Sequence, residues 1–231
     1  MEDCMTTPRR DFLGLLGAAT LTGTLAPRAV SATGAPPLPM PTWYPTPRKA
    51  EWDMSWLKRL PGKYRAVFDA PEVSEGDPVL RAVIWGHQMT EIFGATKAEM
   101  SRVLVLRHNG IELAMNDAYW ARFDAAERHG FKDANGRPLT VNPMRAARQE
   151  VPEPFRHFTL EQFAADGGII LSCDLALRHY IVPRYVGLGM SEANAYTAAV
   201  RDMIPGVIPQ PSGIFAVSVA QDAGCRFVPV G

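Results

Sequence analysis

The sequence has 231 residues, and its 24 basic and 24 acidic side chains cancel, which removes the electrostatic case for a nucleic-acid partner or an anionic membrane surface. Three cysteines are too few for a disulfide framework. Once an N-terminal signal and linker are set aside, the remainder suits one ordinary domain that can bury a core without covalent or metal staples.

The chain begins with Pro8-Arg9-Arg10-Asp11-Phe12-Leu13-Gly14, two adjacent arginines ahead of a Phe-Leu pair. The mildly apolar stretch 12–25 is diluted by Gly14, Gly17, Gly23 and threonines, and it is shorter than the roughly 18–20 apolar residues of a membrane span. Val30-Ser31-Ala32 then offers small residues for cleavage. The pattern resembles a twin-arginine export signal, with Pro8 where Ser or Thr is usual. It predicts a signal peptide over 1–32, cut after Ala32, and a periplasmic mature protein. Retention of the signal as a membrane anchor is the rival outcome. Cys4 falls in this segment, which leaves Cys173 and Cys225 to the mature chain.

Prolines 36, 37, 39, 41, 45 and 47 follow, with Trp43, Tyr44, Trp52 and Trp56 close behind. Consecutive prolines favour extended polyproline geometry, so 33–60 is expected to be an arm. Its aromatics are expected to pack on the following domain, 61–231, or on a neighbouring subunit.

From Lys63 strand and helix signals alternate. Tyr64-Arg65-Ala66-Val67-Phe68 predicts a strand ending at Asp69. Pro78 suits a helix start, with Val79, Val83, Ile84, Met89 and Ile92 as its apolar face and Gly94 as its stop. Arg102-Val103-Leu104-Val105-Leu106 is a nearly continuous apolar strand, as expected when both faces of a sheet are covered. Asn116 or Asp117 caps a helix expected to reach His129, stopped at Gly130. A polar passage rich in Pro and Arg occupies 131–158. Gly167-Gly168 then opens a strand, Ile169-Ile170-Leu171-Ser172, which delivers Cys173. Helices are expected over 174–180 and 191–203. Val207-Ile208-Pro209 is a fourth strand, Ser212 caps a helix through Ala220, and Cys225-Arg226-Phe227-Val228 is a fifth strand. This order predicts a three-layer α/β/α fold with a mainly parallel five-stranded sheet.

Gly168-Ile169-Ile170-Leu171-Ser172-Cys173-Asp174-Leu175-Ala176-Leu177-Arg178 resembles the strand-cysteine-helix segment of the DsrE family, the sulfur-relay and DsrE/DsrF-like proteins. Val105-Leu106-Arg107-His108-Asn109-Gly110-Ile111 and Pro209-Gln210-Pro211-Ser212-Gly213-Ile214 resemble exported members of that superfamily. The resemblance spans about 63–228. It implies a DsrEFH-like fold, a cysteine at position 173 that carries a persulfide, and assembly into multimers. The export signal, the Pro-rich arm and the long passage at 131–158 stand outside the family's pattern.

Ligands of an open parallel sheet bind beyond the carboxyl ends of its strands, and that rule selects the candidate residues. The first strand exit offers Asp69 and Glu72. The second offers Arg107, His108 and Asn109, with Asn116 opening the next helix. The third offers Cys173 and Asp174, and the fourth Gln210 and Ser212. Cys173 is the candidate reactive thiol and His108 the candidate base. Asp69, Arg107, Asn109, Asn116, Asp174, Gln210 and Ser212 are candidate ligand-binding groups. A helix N-terminus and Arg107 would lower the thiol pKa of Cys173, which Asp174 would oppose. Each also has a bland reading: Cys173 as an inert core residue, Gln210 and Ser212 as a turn and a cap, and Glu112 as solvated surface. Cys225, at the entrance of its strand, is expected to be buried and unable to bridge to Cys173. Residues 131–158 are expected to fold over the carboxyl edge and shield Cys173.

No His-Glu-x-x-His or Cys-x-x-Cys spacing marks a metal site, no Gly-x-Gly-x-x-Gly marks a dinucleotide site, and no Gly-x-Ser-x-Gly marks a hydrolase. No cofactor is evident. Three functions compete: sulfur or other thiol chemistry at Cys173, a binding module for a small ligand, and a structural subunit of an exported homo-oligomer or protein complex.

Overall fold

The computed structural model of the protein describes residues 52–153 and 155–231; the expected export signal over 1–32, Cys4, Trp43 and Tyr44 lie outside them. In chain order the regular elements are β1 (Tyr64–Ala70), α1 (Asp77–Phe93), β2 (Met100–Leu106), α2 (Asp117–Arg122), α3 (Ala125–Arg128), α4 (Leu160–Ala165) and β3 (Ile169–Cys173). They continue with α5 (Asp174–Ala176), α6 (Val182–Val186), α7 (Glu192–Arg201), β4 (Ile208–Gln210), α8 (Gly213–Asp222) and β5 (Arg226–Pro229). The five strands form one sheet in the order β4-β3-β2-β1-β5, and every pairing is parallel. The three-layer α/β/α fold expected from the alternation is the fold observed.

The strand order decides which helix covers which face. The steps from β1 to β2, β3 and β4 all run one way across the sheet, and the step from β4 to β5 returns past three strands. Right-handed crossovers put forward and backward steps on opposite faces. One face therefore carries the larger core, where Ala66, Phe68, Leu104 and Leu106 meet residues of α1 to α7. Val67, Val103, Val105, Ile169 and Leu171 look the other way and meet Ala216 and Ala220 of α8, with Trp56 and Leu60. Trp56 lies within a 3-10 turn at Ser55–Arg59 and Leu60 follows it, and Trp56 has no exposed surface. The described end of the arm thus packs on this domain and completes its second helical layer.

Several elements depart from their expected form. The helix expected to reach His129 is split into α2 and α3, because Asp124 takes a left-handed conformation with φ of 49°. The helix after β3 runs on to Val186, with a π-helical turn at Leu177–Ile181. Pro183 lacks the N–H that an α-helical register would require there. Helix α1 ends at Gly94, whose N–H reaches Thr90, but Ile92 is exposed and outside the apolar face assigned to it. That face instead comprises Val79, Ala82, Val83 and Gly86. Arg102 crosses Gly86 where a Cβ would sit and ends on the Asp166 carbonyl at 2.8 Å.

Candidate functional site

Beyond the carboxyl ends of β3 and β4 the two outgoing connections part. The chain after β3 goes to the larger core, where Ala176, Leu177 and Ile181 are buried; the chain after β4 goes to α8 on the other face. Adjacent strands whose connections diverge leave a crevice, the usual place for a ligand in a doubly wound sheet. Cys173 and Gln210 are paired across this point, and a cleft of about 720 Å³ opens there.

Five sets of residues build the cleft. Arg107 and His108 come from the exit of β2, and Cys173, Leu175 and Ala176 from the exit of β3. Arg178, His179 and Tyr180 follow one turn later, Glu192 comes from α7, and Ser212, Gly213 and Ile214 from the start of α8. Cys173, His108, Arg107 and Ser212, all singled out in the sequence, meet here. The others were missed because strand order, which selects β3 and β4 as the crevice, is not written in a one-dimensional pattern.

Cys173 caps its own helix: its Sγ accepts the Ala176 N–H at 3.2 Å. The thiol is buried, with 5% of the residue exposed. Burial is the largest influence on its pKa and pushes it up. The N–H groups of Ala176, Gly213 and Leu175 pull the other way, while the Asp174 charge adds to the rise. The net direction is upward, which corrects the expectation of a lowered pKa: desolvation outweighs the helix terminus and Arg107.

Arg107 is clamped by Asp69 from β1, through Nε to Oδ1 at 2.6 Å and Nη2 to Oδ2 at 2.7 Å. This bidentate geometry is the strong form of the pair, and it raises the Arg107 pKa chiefly through the Asp69 hydrogen bond. The stem of Arg107 lies against the bare Cα of Gly213, where any Cβ would overlap it. Asp69 therefore orients a cleft residue without lining the cleft itself.

His108 has φ of 50°, a left-handed conformation uncommon for a residue with a Cβ. Its Nδ1 lies 2.9 Å from Glu72 Oε1, and Asn109 Nδ2 donates to Glu72 Oε2 at 2.8 Å. The imidazole also meets the Tyr180 ring edge-on, with centroids 4.8 Å apart. Asn109 thus binds Glu72 and is not among the cleft residues.

The remaining candidates serve the fold. Asn116 is the N-cap of α2 and accepts the Tyr119 N–H at 3.0 Å; its side chain is committed there and does not line the cleft. Asp174 is buried and accepts hydrogen bonds from Arg178 Nε and Tyr196 Oη, each at 2.7 Å. Burial and that carboxylate push Tyr196 up to about 12. Gln210 is fully buried and donates to the Asp53 carbonyl at 3.0 Å, so it ties the arm to β4. Ser212 both lines the cleft and caps α8, accepting the Phe215 N–H at 3.1 Å.

Two further expectations are corrected. Glu112 is buried, not solvated, and is held by Arg128 and Arg184 at 2.7 Å each and by His129 at 3.1 Å. Burial alone would raise its pKa, but those three groups outweigh it and leave it lowered. The passage 131–158 packs over the start of α2: Asn142 donates to the Leu113 and Met115 carbonyls, and Arg145 and Arg148 pair with Asp117. None of its described residues lines the cleft, so they do not shield Cys173.

Cys173 and Cys225 are both free. The register places Cys225 just before the Ala66–Arg226 pair and Cys173 one step beyond the Leu106–Ser172 pair. They stand at opposite edges of the sheet, and they belong to separate cores. Among the described residues no group of three His, Cys, Asp or Glu is placed to hold a metal, and no helix is long and apolar enough to cross a membrane.

No family model matches the chain, and no curated protein matches it. Among solved structures, it is similar to a protein of unknown function, MTH1491 from Methanobacterium thermoautotrophicum, at 14% identity and a TM-score of 0.39. That match covers 72% of this chain and 98% of the other.

Proposed function

We propose that the protein is an exported, DsrE-like sulfur acceptor whose working group is Cys173. The observation that carries the reading is the position of the Cys173 Sγ: it lies at the crevice between β3 and β4, in a cleft shared with Arg107, His108 and Ser212. The resemblance of 168–178 to the DsrE segment supports the same assignment, and Arg9-Arg10 supports export.

The chemistry is a redox-neutral transfer. Sγ attacks the outer sulfur of a donor persulfide, R–S–SH; a new S–S bond forms at Cys173 as the donor's own S–S bond breaks. The donor departs as a thiol, R–SH, taking up a proton. The cleft suits the product better than the resting thiol. Burial holds the thiol protonated, whereas a persulfide is intrinsically more acidic and can sit as an anion beside Arg107 and the α8 N-terminus.

The same raised thiol pKa favours a second reading, a binding module in which Cys173 is only part of the wall. Intact mass spectrometry separates the two. Protein incubated with inorganic polysulfide should gain one sulfur atom, lose it to a reductant, and gain none as Cys173→Ser. Unmodified Cys173 alongside a co-purifying small molecule would favour the binding module.

A further inference from the structure

The turn after β2 is pressed onto the turn after β1. The Gly110 N–H donates to the Pro71 carbonyl at 2.9 Å, and a Cβ on Gly110 would overlap the Ala70 carbonyl. This approach sets Glu72 between two consecutive residues of the other turn. Its Oε1 meets His108 Nδ1 and its Oε2 accepts from Asn109. Both carboxylate oxygens are therefore directed. The left-handed backbone at His108 is unfavourable for a residue with a Cβ and persists only where surroundings over-determine it.

A carboxylate on Nδ1 selects the tautomer that carries its proton there, and it leaves Nε2 with a lone pair. Tyr180 holds the ring from another side. His108 and Cys173 line one cleft, and a buried thiol needs a local acceptor for its proton.

We propose that Glu72 is a positioning residue that fixes His108 with Nε2 free as the base for the Cys173 thiol. The inference rests on the reading of Cys173 as the working group. In the step, the Sγ–H bond breaks and the proton passes to His108 Nε2, directly or through one water. The resulting thiolate attacks the donor sulfur, and the imidazolium returns the proton to the departing thiol. No oxidant or reductant is consumed. Asn109 steadies the arrangement by occupying the second oxygen of Glu72.

Glu72 and His108 are each nearly half exposed, at 44% and 47%, so as an ion pair they add little to stability. A purely structural role for the pair predicts no change in the reactivity of Cys173. The test uses full-length folded protein with Glu72→Ala and His108→Gln, and it reads two quantities that need no sulfur donor. Long-range 15N–1H NMR reports which imidazole nitrogen of His108 carries the proton; the rate of Cys173 alkylation by iodoacetamide at fixed neutral pH reports proton removal. Wild-type His108 should be protonated on Nδ1, and Glu72→Ala should shift the proton to Nε2. Alkylation should slow about 100-fold in His108→Gln and by roughly tenfold in Glu72→Ala, as expected for loss of a base and of its orienter. An unchanged tautomer in Glu72→Ala overturns the positioning role, and an unchanged alkylation rate in His108→Gln overturns the base. If both variants behave as expected yet the wild-type protein takes no sulfur from polysulfide, the sulfur-acceptor reading falls and the Glu72–His108 relationship stands.

Discussion

Arg107 and Asp69 join the exits of two neighbouring strands through two parallel charge-assisted hydrogen bonds. Their register explains the reach: Asp69 is level with Val105, two residues before Arg107, so both side chains leave the sheet on the same side. The guanidinium is thereby held across the mouth of the cleft and under the first turn of α8.

That clamp makes Gly213 a space requirement. Gly213→Ala should displace the Arg107 side chain or the start of α8, since the new Cβ would occupy the position of the Arg107 stem. The expected cost is about 1–3 kcal/mol in unfolding free energy, the usual range for forced overpacking. Chemical denaturation checks it, and Arg107→Ala in the same background should relieve little of the loss, since the Arg107 atom nearest the new methyl is its own Cβ. A Gly213→Ala protein of unchanged stability would show that the close approach is not tight.

The Cys173 thiol should titrate above the free value of about 8.5. Burial favours the neutral form, so the rate of alkylation should still be climbing where an exposed cysteine has reached its plateau. The linkage has a definite sign. The folded thiol keeps its proton to higher pH than the unfolded one, so its contribution to stability is complete below the unfolded pKa and is lost as pH rises towards the folded value. Mapping adducts across pH tests this, and a plateau below pH 8 would show that the helix termini win over desolvation. Cys225, also raised by burial, should label slowly throughout, and no Cys173–Cys225 bridge should form under oxidation.

Trp56→Ala should cost roughly 3–5 kcal/mol, the range for removing a large buried aromatic. Its ring is fully buried against Val67, Val103 and Val105 together with α8. Thermal or urea unfolding of the protein measures it. A loss below about 1 kcal/mol would mean that the 52–60 segment is an ornament on a domain complete without it.

The sequence carried the elements better than their arrangement. Strands β1 to β3 were legible because their runs are apolar, with β1 and β3 also bounded by Gly or Asp, and the ends of α1 and α8 because Gly94 and Ser212 are local signals. The break at Asp124 was not legible, since an aspartate in a left-handed conformation looks like one more helix residue. The same limit applied to the site. Residues at strand exits could be named, but Asn116, Asp174 and Gln210 form hydrogen bonds within the scaffold, and their partners lie 22 or more residues away in two of the three cases. Arg178, His179, Tyr180 and Glu192 reach the cleft by folding back from helices, where no strand-exit rule points. Glu112 looked like surface because its three partners come from α3, α6 and the residue following α3.

Pairing of the first strand with the last has a consequence for how the chain is made. β1 lies between β2 and β5, and the face behind it is closed by the 52–60 segment and α8, which come from the two ends of the described chain. During synthesis an N-terminal portion can collapse early, yet one edge of β1 stays unpaired until β5 emerges, and Val67, Val103 and Val105 have only the 52–60 segment for cover until α8 is made. The nascent chain therefore carries a half-built sheet until residues 213–229 have been made, and its open edge is available to neighbouring chains until then.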